Sequence, residues 1–223
     1  MSRQKEFERV SVKPASMYLS WSSNDGKFKY WNKEASKDEL IDLPMKFVVL
    51  MERHTVKGWH DKSQSGIYSN EVKNIGSEQL EVKSFKGGVI AKGIYKECKE
   101  VIQNAGGTYH KSIYAMLEDG TIINLSIKGA CVKAWGDFSR DNSRSFTTKF
   151  VSINGVSNEK KGSIKYTVPV FELSDSLDAT QMRVADDAYD RLDDSLNRVV
   201  NALHSHEQED LSIDELEEDD IDF

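Results

Sequence analysis

Residues 45–62 read MKFVVLMERHTVKGWHDK, and this stretch decides the predicted fold. The apolar run from Met45 to Met51 continues to Val56, a pattern typical of a long, largely buried strand. Gly58 interrupts the run, and a glycine inside a strand indicates a bulge or a bend. We therefore predict a strand over 45–56, followed by a bulge or a bend at Gly58.

Shorter β-prone runs lie on both sides of this strand and alternate with turn residues. They are Phe28–Trp31, Gly66–Val72, Leu80–Phe85, Ser112–Leu117, Thr121–Ile127, Phe150–Val156 and Ser163–Phe171. The last four form two hairpins, one across Glu118-Asp119-Gly120 and one across the loop 158–162. Residues 1–26 are predicted to be an extended or loosely ordered arm, and Asn32–Asp42 a helical turn or a loop.

Three stretches change to the three- and four-residue spacing of a helix. They are 89–102, which ends before Gly106-Gly107, then 128–138, and finally 176–203. The last has an apolar stripe at Leu177, Gln181, Val184, Ala188, Leu192, Leu196, Val199 and Leu203. This order predicts a mainly β protein with an OB-like five-stranded barrel, a helix between strands and a long C-terminal helix. A β-sandwich is the competing topology.

Charge is distributed very unevenly along the chain. The total formal charge is −7, yet residues 1–173 contain 27 basic and 20 acidic residues. Residues 207–223 contain ten acidic residues and no Lys or Arg. Such an asymmetry indicates a nucleic-acid-binding body and an acidic interaction tail. We divide the chain into an N-terminal segment 1–42, a body 43–173, an amphipathic helix 174–206 and a disordered acidic tail 207–223.

Several function classes find no support in the residues. Cys98 and Cys131 belong to no paired motif, so neither a disulfide framework nor a zinc site is expected. No phosphate-binding loop motif is present, and no apolar run is long enough to span a bilayer. The first residues lack the apolar core of a secretory signal. We expect a cytoplasmic protein with no catalytic site, metal or cofactor, and no membrane partner.

The histidines near the long strand are the nearest approach to a metal site. His54 and His60 lie close to Glu52 and Asp61 in the sequence. A bulge at Gly58 would put the two histidines on different faces, however. We interpret them as hydrogen-bonded or nucleic-acid-facing residues.

Basic and aromatic residues alternate along the predicted strands. This mixture suits single-stranded nucleic acid, because unpaired bases stack on aromatic rings while lysines contact phosphates. The candidate contacts are Lys57, Trp59, Lys62, Tyr68, Lys83, Phe85, Lys86, Lys111 and Lys128. We assign Trp135 and Phe150 to the core instead, and we expect Trp59 and Phe85 at the surface.

The acidic tail carries spaced apolar residues as well as charge. Its last five residues, Asp219, Asp220, Ile221, Asp222 and Phe223, pair carboxylates with an aliphatic and an aromatic side chain. Such residues enter a pocket while the carboxylates meet Lys or Arg of a partner. The same charge also mimics a phosphate strand and competes for the body at a high effective concentration. The alternative is a plain solubility tail, which would not need these apolar residues.

These features resemble single-stranded DNA-binding proteins of the OB-fold type, above all phage replication members with an acidic tail that closes on Phe. The resemblance rests on the ending DDIDF and on Leu43–Gly88, with HTVKGWHDKSQSGIYSNE and SFKGG. It implies that the protein coats and protects single-stranded DNA in replication, recombination and repair, and recruits replication or recombination proteins through its tail. It also implies base stacking by Trp59, Tyr68 and Phe85.

The chain departs from the bacterial members of that family because helix 176–203 replaces their flexible linker. Their tetrameric architecture is therefore not expected, and the helix is a candidate homodimer contact. Two alternatives remain open. One is a scaffold protein whose tail binds a basic partner, and the other is an RNA-binding translational regulator.

Overall fold

The computed structural model describes residues 14–197, and this part of the chain is mainly β. The strands are β1 Met17–Ser22, β2 Lys27–Asn32, β3 Lys37–Ile41, β4 Met45–His60, β5 Ser65–Ser69, β6 Gln79–Ser84, β7 Gly88–Ile94, β8 Gly107–Leu117, β9 Ile122–Lys128, β10 Lys149–Lys161 and β11 Ile164–Ser176. The helices are α1 Tyr95–Asn104, α2 Ala130–Asn142 and α3, which is described over 179–197. Residues 15–188 form one compact unit, while residue 14 and residues 189–197 belong to another.

The strands of the described residues form one open, mixed sheet of 11 strands, whereas a five-stranded barrel was expected. The order is β3-β2-β1-β9-β8-β4-β5-β6-β7, and the β10–β11 hairpin pairs with the start of β4. β1 runs parallel to β9, whereas the neighbours of β4 are antiparallel to it. The 16-residue β4 is long enough to pair with three strands along its two edges, and it organises the sheet.

One face of the sheet, which we call the packed face, holds most of the core. Leu19, Phe47, Ile113 and Leu125 pack there against α2 and the β10–β11 hairpin. Toward the other end of the sheet, α1 packs through Ile102 against a second group of apolar residues. They are Val56, Ile67, Val72, Leu80 and Val82. Trp135 and Phe150 are 0% and 4% exposed, which confirms their assignment to the core.

The opposite face, which we call the open face, is covered at one end by residues 177–188, which include the first part of α3. Leu177, Ala185 and Ala188 pack with Val48 and Met116 in that region. The predicted apolar stripe is wrong at Gln181 and Val184, which are exposed, because the helix turns Met182 and Ala185 toward the sheet instead. Residues 198–203 of the predicted helix lie outside the described residues.

Three predicted elements differ from the structure. β1 lies within the predicted N-terminal arm, of which residues 1–13 fall outside the described part. β3 replaces the predicted turn or loop at 32–42, because its five residues pair along β2 and tertiary pairing outweighs weak local preference. The predicted helix at 89–102 begins only at Tyr95, since Gly88–Ile94 pairs with β6 as a strand.

The predicted bulge at Gly58 is also wrong. The irregularity in β4 falls between Val49 and Met51. Pairing with β8 is continuous from Met51 to Gly58, and pairing with β5 begins at Gly58. Gly58 serves close backbone approach instead, because a Cβ at this position would lie 2.2 Å from the carbonyl oxygen of Gly106. The end of α1 therefore reaches the backbone of β4 beside Trp59.

The hairpin predictions agree with the structure. β8 and β9 are joined across Glu118–Thr121, as the Glu-Asp-Gly signal indicates. β10 and β11 pair as an antiparallel hairpin. β10 extends further toward the tip than predicted, whereas β11 extends further at the end away from the tip. The described helices contain no segment that is long and apolar enough to cross a membrane.

Candidate nucleic-acid interface

The pairing register places the predicted aromatic residues on the open face. Trp59 pairs with Gly66 across β4 and β5, and Tyr68 pairs with Lys83 across β5 and β6. Paired residues share a face, as do residues two apart on one strand. Trp59, Tyr68 and Lys83 therefore lie on the same side of the sheet, opposite the buried Ile67 and its neighbours.

Phe85 follows β6 and lies over the same face. Its ring stacks on Tyr68 with a centroid distance of 4.6 Å and an interplanar angle of 27°. The missing side chain of Gly66 makes room for it, because a Cβ there would lie 3.2 Å from the Phe85 ring. We call Trp59, Tyr68 and Phe85 the aromatic cluster.

The aromatic cluster is open to solvent. Trp59 is 52% exposed, Tyr68 39% and Phe85 73%. The expectation that Trp59 and Phe85 lie at the surface is therefore confirmed. Aromatic side chains usually stabilise a fold because they are buried, and these three gain only part of that stabilisation. A patch of exposed aromatic rings is characteristic of a binding surface.

A positively charged group lies beside the aromatic cluster, on strands β4, β8 and β9. Lys57 Nζ donates a hydrogen bond to Ser126 Oγ over 3.1 Å, and His110 Nδ1 is 3.0 Å from the same oxygen. Lys128 pairs with His110 across the strands. Burial lowers the pKa of Lys57. A partly desolvated ammonium attracts an anion more strongly than one in bulk water.

His110 in this basic group is expected to be neutral at physiological pH. Burial, followed by the positive charges of Lys57 and Lys128, lowers its pKa to about 4. A lowered histidine pKa means that the unfolded chain takes up a proton at higher pH than the folded one. Acidification from pH 6.5 toward pH 4 should therefore cost stability, on the order of 2–3 kcal/mol from this residue.

Replacing His110 should make this pH dependence visible. We expect the unfolding free energy of wild-type protein, measured in urea, to fall between pH 6.5 and pH 4.5. In His110→Gln the fall should be shallower, because the titrating group is gone. His54, whose pKa is also lowered by burial, contributes to the slope that remains. An identical slope in both proteins would contradict the assignment.

The remaining predicted lysines divide into three situations. Lys83 lies on the open face with an ion pair to Glu81 at 3.0 Å. Lys62 and Lys86 are exposed in two neighbouring turns. Hydrogen bonds join these turns, from Ser63 Oγ to Ser84 Oγ over 3.4 Å and from Lys86 N to Ser65 Oγ over 3.2 Å. Lys111 lies on the packed face and forms an ion pair with Glu52. The structure thus does not bring Lys111 together with the other candidates.

Glu52 explains why Lys111 is placed there. Its carboxylate accepts a hydrogen bond of 2.6 Å from Trp135 Nε1 as well as pairing with Lys111. The two donors satisfy a carboxylate beside the buried Trp135. No group of three or more potential metal-ligating side chains occurs within residues 14–197.

Sequence reasoning did not single out His110, Tyr18 or Trp31, and all three lie on the open face. His110 gave no sequence signal, since only the register of β8 brings it to Lys57. Trp31 did have a sequence signal, because in KFKYWN the two lysines and Trp31 alternate with Phe28 and Tyr30. Such alternation puts Trp31 on the same face as the lysines. The predicted partner-binding residues 219–223 lie outside the described residues.

Comparison with known proteins gives a partial likeness. A stretch of 94 residues, 42% of this chain, is 32% identical to the hydroxylamine reductases of Clostridium botulinum strains ATCC 19397 (Type A) and Okra (Type B1). The chain spans only 15% of the length of these proteins. No protein-family model and no solved structure matches the chain.

Proposed function

We propose that this protein binds single-stranded DNA without sequence specificity, and that the open face carries the interaction. The observation that supports this best is the aromatic cluster, three exposed rings on adjacent strands beside Lys57. Bases of any sequence stack on such rings, at about 1–3 kcal/mol per base, while lysines contact the phosphates. Hydrogen-bond readout of particular bases is not part of the proposal.

The positively charged group formed by Lys57 and Lys128 around Ser126 supports the same function. Lys57 and Lys128 flank a neutral histidine, so two positive charges adjoin the aromatic cluster. A scaffold protein whose body never contacts nucleic acid would have no need for exposed rings and lysines on one face. The proposed binding surface is OB-like in two respects. It is the face of a β-sheet, as in the barrels that bind oligonucleotides across their strands, and α1 is inserted between strands of that sheet.

The biological role follows as part of the proposal. The protein would coat and protect single strands during DNA replication, recombination and repair, in the manner of the phage proteins that it resembles. Residues 219–223 would recruit partner enzymes, with Phe223 and Ile221 as apolar anchors among carboxylates. The reductase activity named for the clostridial proteins is not proposed, because the shared stretch is a small part of them.

A fluorescence titration with oligo-dT of 16 nucleotides tests the proposal. We expect tryptophan quenching that saturates, and an affinity that falls steeply as salt rises, because cations are released from the phosphates. No quenching and no mobility shift with excess oligonucleotide at near-physiological salt would overturn it. Competition by oligo-rU in the same assay separates DNA from RNA preference.

The same titration on a chain that ends at residue 206 tests the tail. Removing 207–223 takes away ten acidic residues, and we expect tighter binding at low salt, by on the order of tenfold. The gain should shrink at high salt, where charges are screened. An unchanged affinity at low salt would show that the tail does not compete with DNA, while leaving the binding proposal intact.

A further inference from the structure

A second exposed aromatic pair lies on the open face, far from the aromatic cluster. Trp31 on β2 is 60% exposed, and Tyr18 on β1 is 44% exposed. Neither belongs to the interface proposed above, and nothing in the hydrophobic core explains a tryptophan at the surface of a short strand. We call Trp31 and Tyr18 the aromatic pair.

The register shows that the pair and the cluster share one face. Ser20 on β1 pairs with Ser126 on β9, whose hydroxyl contacts Lys57 and His110. Ser20 also pairs with Lys29 on β2. Tyr18 and Trp31 are each two residues from these positions, so they face the same way. Leu19, next to Tyr18, and Phe28, three residues before Trp31, are 0% and 1% exposed on the packed face.

The distance between the two sites sets what ligand joins them. Trp31 and Trp59 lie four strand positions apart, which is about 19 Å across a sheet. The pairing register places Tyr18 in line with Met51 of β4, across β9 and β8. Trp59 lies eight residues beyond Met51, and this distance along the strand is about 26 Å. On a flat sheet the separation is about 32 Å. Single-stranded DNA with bases spaced at about 3.4 Å needs more than nine steps, and so roughly ten nucleotides, to span it.

Basic residues lie between the two sites. Lys57 and Lys128 occupy the middle of the open face, and Lys29 lies two residues before Trp31 on β2. Lys29 pairs with the Asp38 carboxylate. A surface ion pair of this kind contributes little free energy, so a phosphate can replace the carboxylate at small cost.

Acidic side chains on the same face indicate where phosphates do not pass. The Glu71 carboxylate accepts hydrogen bonds from Ser112 Oγ at 2.6 Å and Tyr114 at 2.8 Å. The pKa of Tyr18 is raised, mainly by burial and also by the negative charge of Glu71. A DNA strand whose phosphates follow Lys57, Lys128 and Lys29 runs past the Glu71 carboxylate on the side where these lysines lie. Its bases then meet the two aromatic sites.

We propose that Trp31 and Tyr18 form a second stacking site for single-stranded DNA, which only oligonucleotides long enough to cross the open face engage together with Trp59, Tyr68 and Phe85. The inference rests on the proposed function and adds to it a direction for the bound strand, from β6 across β4 and β9 to β2. The ligand is a single polynucleotide of roughly ten or more nucleotides.

Tryptophan fluorescence distinguishes the two sites. The chain has four tryptophans, of which Trp135 is buried and Trp21 partly buried. Trp59→Phe leaves Trp31 as the most exposed reporter, and Trp31→Phe leaves Trp59. Oligo-dT of 4 nucleotides should quench Trp31→Phe but not Trp59→Phe. Oligo-dT of 16 nucleotides should quench both variants.

An affinity measurement tests the same idea without fluorescence. Trp31→Ala should bind the 16-nucleotide oligomer on the order of tenfold more weakly than wild type. Its affinity for the 4-nucleotide oligomer should be unchanged. The second site is wrong if the 16-nucleotide oligomer quenches Trp59 but not Trp31, and if Trp31→Ala binds that oligomer as tightly as wild type does. The proposed function would still stand. If neither tryptophan responds, the proposed function itself fails.

Discussion

Replacing both Trp59 and Phe85 with alanine should reduce the affinity for oligo-dT by at least about 30-fold, since each lost stack contributes about 1–3 kcal/mol. Trp59 lies on β4, and Phe85 follows β6, which is the second strand along from β4 in the sheet. Tyr68 remains in the double variant, but it loses the Phe85 ring that stacks on it at 4.6 Å. Electrophoretic mobility shift at fixed salt measures the change directly.

The double variant is expected to fold normally. Its two side chains are 52% and 73% exposed, and surface truncations away from special features usually change the unfolding free energy by less than about 0.5 kcal/mol. Urea unfolding should therefore match wild type. The matched control is Trp59→Phe with Phe85→Tyr, which keeps an aromatic ring at each position and should bind within about threefold of wild type. Equal affinity of the alanine variant and wild type would remove the aromatic cluster from the interface.

Gly58→Ala should lower the unfolding free energy by on the order of 3 kcal/mol. A Cβ at Gly58 would lie 2.2 Å from the Gly106 oxygen and 3.0 Å from two further backbone atoms. Backbone atoms cannot turn aside as a flexible side chain does. β4 and the end of α1 must therefore move apart. This movement also breaks the contact between Gly106 and the carbonyl group of Trp59.

Gly136→Ala is the matched control for this prediction. Gly136 lies inside α2, and a Cβ there meets no atom within 4 Å. Alanine is the better helix former, so this variant should gain about 0.5–1 kcal/mol. Urea unfolding of the two single variants beside wild type gives both numbers. If Gly58→Ala is as stable as Gly136→Ala, the close approach of α1 to β4 is not a feature of the folded protein.

Local patterns predicted much of the secondary structure. The long apolar run at 45–56, the Glu-Asp-Gly turn and the glycine stop at 106–107 each act through neighbouring residues, so they are legible in the sequence. The prediction failed where a distant strand decided the outcome. Val89, Ile90 and Ile94 suit one face of a helix, but β6 offers hydrogen bonds to this segment and makes it a strand instead.

The candidate interface was predicted in its residue types but not in its extent. Trp59, Tyr68, Lys83 and Phe85 were identified because basic and aromatic residues alternate along strands. Lys111 was included on the same grounds, and the structure places it on the other face, paired with Glu52. Alternation along a strand assigns residues to two faces, but it does not tell which face the helices cover.

The sequence by itself determined the mainly β character, the glycine stop of α1 and the separation of a basic body from an acidic tail, because these depend on composition and short-range spacing. Only the tertiary structure decided that Lys57, His110, Ser126 and Lys128 meet, and that Trp31 shares a face with Trp59. Those relations depend on the register between strands far apart in the chain. A shift of one residue in pairing would turn every side chain to the opposite face.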